Sequence, residues 1–108
     1  MKRWNVIVEL PAQQDIAEAC LWIAEYDVEA ANRWFASLYE AIGSLEMFPE
    51  RCPLAPESKF LHREIREIFH GRRQYKHRIL FTMKRNEVHV VHVRHGSRLA
   101  WGEMLPEE

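Results

Sequence analysis

Arg66, Arg78, His92 and Arg94 fall in stretches whose side chains alternate in character, and His95 and Arg98 follow within Glu87 to Arg98, EVHVVHVRHGSR. These residue types can do phosphate chemistry. A guanidinium grips a phosphate through two parallel hydrogen bonds, and an imidazole poised near neutrality can move protons while an arginine steadies the charge that develops. Gathered on one face of a strand surface, the set could hold a polyanion or cleave a phosphodiester. The alternative is a salt-bridged sheet face whose histidines are all satisfied. A metal site is not expected: His92 and His95, three apart on a strand, point to opposite faces, and no companion cluster has ligand spacing. No glycine-rich phosphate loop, nucleophile elbow or zinc motif occurs, and no cofactor is expected.

The elements that must position these groups can be read from periodicity. In Glu87 to Arg98 strict alternation puts Val88, Val90, His92 and Arg94 on one face, and His89, Val91, Val93 and His95 on the other. Tyr75 to Met83 reads as its partner strand, with Tyr75, His77, Ile79, Phe81 and Met83 on one side and Lys76, Arg78, Leu80 and Thr82 on the other; Lys84, Arg85 and Asn86 join the two as a hairpin. Glu64 to Phe69 predicts a short strand, and His70 to Arg73 a turn. Near the start, Trp4 to Leu10 predicts a strand that Pro11 ends while opening a helix. That helix runs from Ala12 to about Tyr26, with Ile16, Cys20 and Ile23 on its apolar side. Asp27 caps a second helix, whose stripe of Ala31, Trp34, Leu38, Ala41 or Ile42, Leu45 and Phe48 carries it to Pro49. Three prolines in Pro49 to Pro56 predict a stiff, extended crossing, with Phe60 and Leu61 anchoring its end.

The order strand, helix, helix, strand, strand, strand predicts an α+β fold. The last three strands form an antiparallel meander, the first strand joins at an edge, and both helices lie on one face of a single four-stranded sheet. Trp22, Trp34 and Tyr39 are expected to pack between layers. The tail from Leu99 carries Trp101, Met104 and Leu105, which could pack as a short helix or be covered by a partner.

A chain of 108 residues suits one domain with one core. Its 47% hydrophobic and 29% charged residues exclude a disordered chain. No apolar run approaches the roughly 20 residues that cross a bilayer, nor is there a secretory h-region, so a cytoplasmic protein is expected. Cys20 and Cys52 are expected to be reduced thiols. The net charge of −1 hides an asymmetry: residues 1–58 hold four Lys/Arg against ten Asp/Glu, a balance of −6, and residues 59–108 hold eleven against six, a balance of +5, with all six histidines. A basic working surface on an acidic scaffold is one reading, and two solvated faces of unequal composition the other.

Several segments together resemble the RelE/ParE superfamily of toxins, the toxic halves of bacterial type II toxin–antitoxin modules. They are the strand ending in Leu10-Pro11, FPERCPLAPE from Phe48, EIREIF from Glu64, HRILFTM from His77, and HVRHGSR from His92. The resemblance spans nearly the whole chain and implies a toxin held inactive by a cognate antitoxin. RelE-like members cleave messenger RNA on the ribosome without a metal, whereas ParE-like members inhibit DNA gyrase. The RelE-like pattern maps a catalytic arginine to Arg78, a basic position near Arg66, and a loose counterpart to Arg98. No Tyr follows Tyr75, and the lysine-rich second strand is absent. FPERCPLAPE and HVRHG are more ParE-like, so gyrase inhibition is expected ahead of ribonuclease action. A ribonuclease would use Glu64 or Glu67 with Arg78 and His92 or His95. Target contact would fall to Arg66, Arg94 and Arg98, and a third outcome is a non-toxic module that still binds antitoxin.

Overall fold

The computed structural model describes residues 2–72 and 75–96. Strand β1 is Asn5–Val8, helix α1 Leu10–Ala24 and helix α2 Val28–Gly43. After two 3₁₀ turns come a short helix α3, Glu57–Leu61, and strands β2 (Arg66–His70), β3 (His77–Lys84) and β4 (Glu87–His95). The sheet order is β1-β4-β3-β2. The meander is antiparallel and β1 runs parallel to β4 at the edge, so the sheet is mixed. None of the described helices is long and apolar enough to cross a membrane.

Strand β1 is shorter than its apolar alternation predicts. The Glu9 amide still donates to the Val90 carbonyl at 2.9 Å, but Leu10 is already helical because Pro11 fits a first helical turn with no amide hydrogen to lose. Glu9 stands at the cap position without capping; its carboxylate is turned to β4 instead. Helix α2 starts as its sequence dictates, with the Asp27 side chain accepting from the Ala30 amide at 3.1 Å.

The far end of α2 differs from its periodicity. The helix stops at Gly43, Ser44–Glu46 tightens into a 3₁₀ turn that still buries Leu45, and Phe48 is 70% exposed. Phe48 takes a left-handed backbone, φ 56°, a region uncommon for a bulky residue. Pro49–Arg51 is a 3₁₀ turn and α3 follows Pro56 directly. The expected extended crossing is therefore replaced by short helical pieces. A proline that breaks a long element is at home in the first turn of a short one.

Both helices pack on one face of the sheet, where Ile16, Ile23, Trp34, Leu38 and Ile42 meet Ile79, Phe81, Val88, Val90 and Val93. Such burial supplies the main stabilisation, roughly 1.5–3 kcal/mol for each large side chain. The opposite face is covered as well, by a smaller cluster of Ala55, Ile65 and Leu80 with Leu61 and Val91 against it. Residues 77–81 of β3 are thus buried on both sides.

Strand β4 departs from strict alternation. Phe81 pairs with Val90 but Leu80 pairs with His92, so Val91 is a bulge. Past it the faces exchange: Val93 and His95, not His92 and Arg94, sit opposite Ile79 and His77 and share the side of Val88 and Val90.

Candidate functional site

The side of the sheet away from α1 and α2 is, of the two readings the sequence leaves open, the salt-bridged face and not an open cationic surface. Helix α3 lies over it and inserts Glu57, which has no exposed surface. Arg78 donates through Nη2 to Glu57 at 2.7 Å and through Nε to Glu67 at 2.9 Å, and its side chain is only 8% exposed. Burial opposes its charge, but hydrogen bonds and attraction from the two carboxylates outweigh it and hold its pKa above the usual value. Arg66 is likewise occupied: Nη1 donates to the Cys52 carbonyl at 2.5 Å, and Nη2 lies 3.5 Å from Glu64. Arg94 neighbours Arg78 across the β3–β4 ladder, with a buried Nε that has no hydrogen-bond partner among the described residues. Arg98 and the apolar tail from Leu99 lie outside the described residues.

The histidines do not converge on Arg78. Strand β1 ends at Val8, so among the described residues β4 beyond Val90 has no strand on that side, and a carboxylate from α1 takes the place of one. Asp15 accepts the Val93 amide at 3.0 Å and sits 2.9 Å from His92 Nδ1. His89 lies between Glu9 at 2.5 Å and Glu87 at 2.9 Å. Hydrogen bonds to Glu9 and then Glu87 push its pKa up, against a smaller opposing effect of burial. His95 faces the helices, edge-on to Trp22 at 5.5 Å and to His77 at 5.2 Å. A cleft of about 310 Å³ opens there, lined by Asp15, Glu18, Trp22, His77, Arg94 and His95 among others.

The set Arg78, His92 and His95 is thus divided: a buried ion pair, an α1 carboxylate contact at the edge of β4, and an aromatic cluster. Among the described residues no group of three or more His, Cys, Asp or Glu could hold a metal ion, and both cysteines are free thiols. The helical hairpin meanwhile exposes Leu21 at 70%, Tyr26 at 71% and Val28 at 63%, with the Phe35 and Tyr39 rings in tilted contact further along α2. Sequence reasoning missed the two carboxylates that organise these regions, Glu57 and Asp15. Neither carries a local signal, because the partner of each is supplied by tertiary contact.

A model of the ParE toxin of the type II toxin–antitoxin system parDE matches residues 6–100. The chain belongs to the ParE toxin family. Among solved structures it is similar to the chromosomal ParDE toxin–antitoxin system from P. aeruginosa, with a TM-score of 0.66 at 12% identity, covering 86% of this chain and 96% of that one. That likeness shows a shared α+β fold. No curated protein sequence matches at a significant level. In this ParE-family chain, FPERCPLAPE supplies the Glu57 carboxylate that pairs with Arg78 and the Cys52 carbonyl that accepts from Arg66, while His92 and His95 of HVRHGSR meet Asp15 and the aromatic cleft respectively.

Proposed function

We propose that this ParE-family chain is the toxin of a type II module, restrained by a cognate antitoxin, and that its target is DNA gyrase. Family membership supports the toxin role. The observation that carries the choice of target is the state of Arg78. A ribonuclease of the RelE kind needs a guanidinium and a proton carrier that both reach the scissile phosphate. Here Arg78 is held by Glu57 and Glu67 beneath α3, His92 meets Asp15, and His95 packs on Trp22. An inhibitor that works by binding requires no such convergence. Its place of action would be the cytoplasm.

The antitoxin in this reading covers the exposed apolar side chains of the helical hairpin, Leu21, Tyr26 and Val28 first. Because the cations under α3 already have internal carboxylate partners, that contact should depend only weakly on salt. Purified toxin added to gyrase and relaxed plasmid tests the target. Loss of supercoiling, with double-strand breaks and intact messenger RNA on expression in cells, is the expected result. Undiminished supercoiling together with cuts inside codons of ribosome-bound messenger RNA would replace gyrase by the ribosome. Unaffected growth would leave only an antitoxin-binding module.

A further inference from the structure

A second concavity lies on the other flank of the molecule, where α2 meets the turn after β2. It is an open groove of about 400 Å³ lined by Arg33, Trp34 and Ser37 of α2 together with His70, Arg72 and Tyr75. The two arginines come from separate walls and are exposed, and neither forms an ion pair with a carboxylate among the described residues. In this they differ from Arg66 and Arg78, which are both occupied.

The walls are fixed before any ligand arrives. Gly71 has φ +94°, and a Cβ there would stand 2.3 Å from the Tyr75 carbonyl oxygen, so only glycine lets the turn fold back so closely. That same carbonyl accepts Trp34 Nε1–H at 3.2 Å and lies 2.8 Å from His77 Nδ1, which ties the turn to α2 on one side and to β3 on the other. Arg72, next to Gly71, thereby has its backbone set relative to Arg33.

The chemistry of the floor points to binding and not to catalysis. Ser37 Oγ lies 2.8 Å from His70 Nε2 and also 3.2 Å from the Trp34 carbonyl. One hydroxyl proton can serve only one acceptor, and both contacts are satisfied when His70 Nε2–H donates to Oγ and the hydroxyl donates to Trp34. Burial holds the His70 pKa below its usual value, against a smaller opposing pull from Glu40. Ser37 is then a locked strut, with no base drawing off its proton.

We propose that this groove binds a backbone phosphate of DNA, gripped between Arg33 and Arg72, with Trp34 and Tyr75 lining the space for the attached sugar. Neither guanidinium is ion-paired among the described residues, and a tetrahedral phosphate has oxygens enough to be shared between two such groups. The volume exceeds a lone phosphate and accommodates the attached sugar. The inference does not depend on the gyrase reading, since it concerns the isolated chain.

The test is fluorescence anisotropy of full-length toxin with a labelled duplex of about 20 base pairs, repeated over a range of salt concentrations. Arg33→Gln with Arg72→Gln should weaken binding roughly tenfold at low salt and lower the salt slope by about 2, one for each arginine that no longer neutralises phosphate charge. The thermal midpoint should stay unchanged, and Arg63→Gln, an exposed arginine outside the groove, should have little effect. A glutamate-rich peptide serves as the competing probe. Failure of the wild-type chain to bind the duplex, equal binding by the double variant, or capture of the peptide in preference to DNA through these two arginines would each overturn the proposal.

Discussion

The outer face of the sheet and the groove beside α2 both gather guanidinium groups and use them in opposite ways. Under α3 the charge of Arg78 is spent internally, on a fully buried carboxylate and a mostly covered one. In the groove Arg33 and Arg72 stand at the mouth of a preformed cavity with no carboxylate ion-paired to them among the described residues. A basic residue in a sequence is therefore only a potential. What makes it available or not is the carboxylate that tertiary structure brings to it.

The largest effect that tests this contrast is at Arg78. Arg78→Ala leaves Glu57 buried without its arginine and should cost about 3–5 kcal/mol, read as a lower denaturation midpoint in urea. Loss of toxicity in that variant alone would say nothing about catalysis. Arg78→Met with Glu57→Leu and Glu67→Gln removes the charges together and should recover most of the lost stability. If that triple variant folds like the parent yet remains harmless, Arg78 acts on the target itself and the contrast fails.

Asp15→Ala comes next. It strips the acceptor from the Val93 amide at the bare edge of β4, at a cost of about 1–3 kcal/mol. Hydrogen exchange at Val93 should speed up more than exchange at Val88, whose strand edge is covered by β1.

A smaller effect is expected at His89. Its folded pKa is raised by Glu9 and Glu87, so the stabilisation is fully present below the unfolded value near 6.5 and fades as pH rises through the folded value. With partners partly exposed, it amounts to no more than about 1 kcal/mol. His89→Gln should flatten the decline of stability above pH 6.5, measured by chemical denaturation across that range. Smallest of all, Arg33→Gln and Arg72→Gln should each change stability by less than about 0.5 kcal/mol. A larger loss would mean that these arginines, like Arg78, already have internal work.

Much of the architecture was legible because it is periodic. Ala31, Trp34, Leu38 and Ile42 recur at helical spacing and are buried as that spacing demands, and Asp27 caps where a cap was due. Ile79 and Phe81 fill the core as their alternation requires. What was not legible depends on contacts between distant parts of the chain. Nothing near Glu57 announces a partner 21 residues away, and nothing near Asp15 announces one 77 residues away. Phe48 extends an apolar stripe in the sequence, yet the helix stops at Gly43 and Phe48 itself takes a left-handed backbone before Pro49, which leaves it exposed. The supposed working face failed for the same reason: alternation reports which side a residue occupies and is silent on what else covers that side.

The extra residue at Val91 bears on how the strand is to be lined up with its kin. Omit it, and Val88, Val90, Val93 and His95 fall into uninterrupted every-other-residue phase, each opposite its present partner on β3. A homologous strand one letter shorter at this point would keep the same inward set without any other change. Matching the two correctly requires a single gap at position 91; without it, every residue from His92 onward would be equated with a neighbour that faces the wrong way.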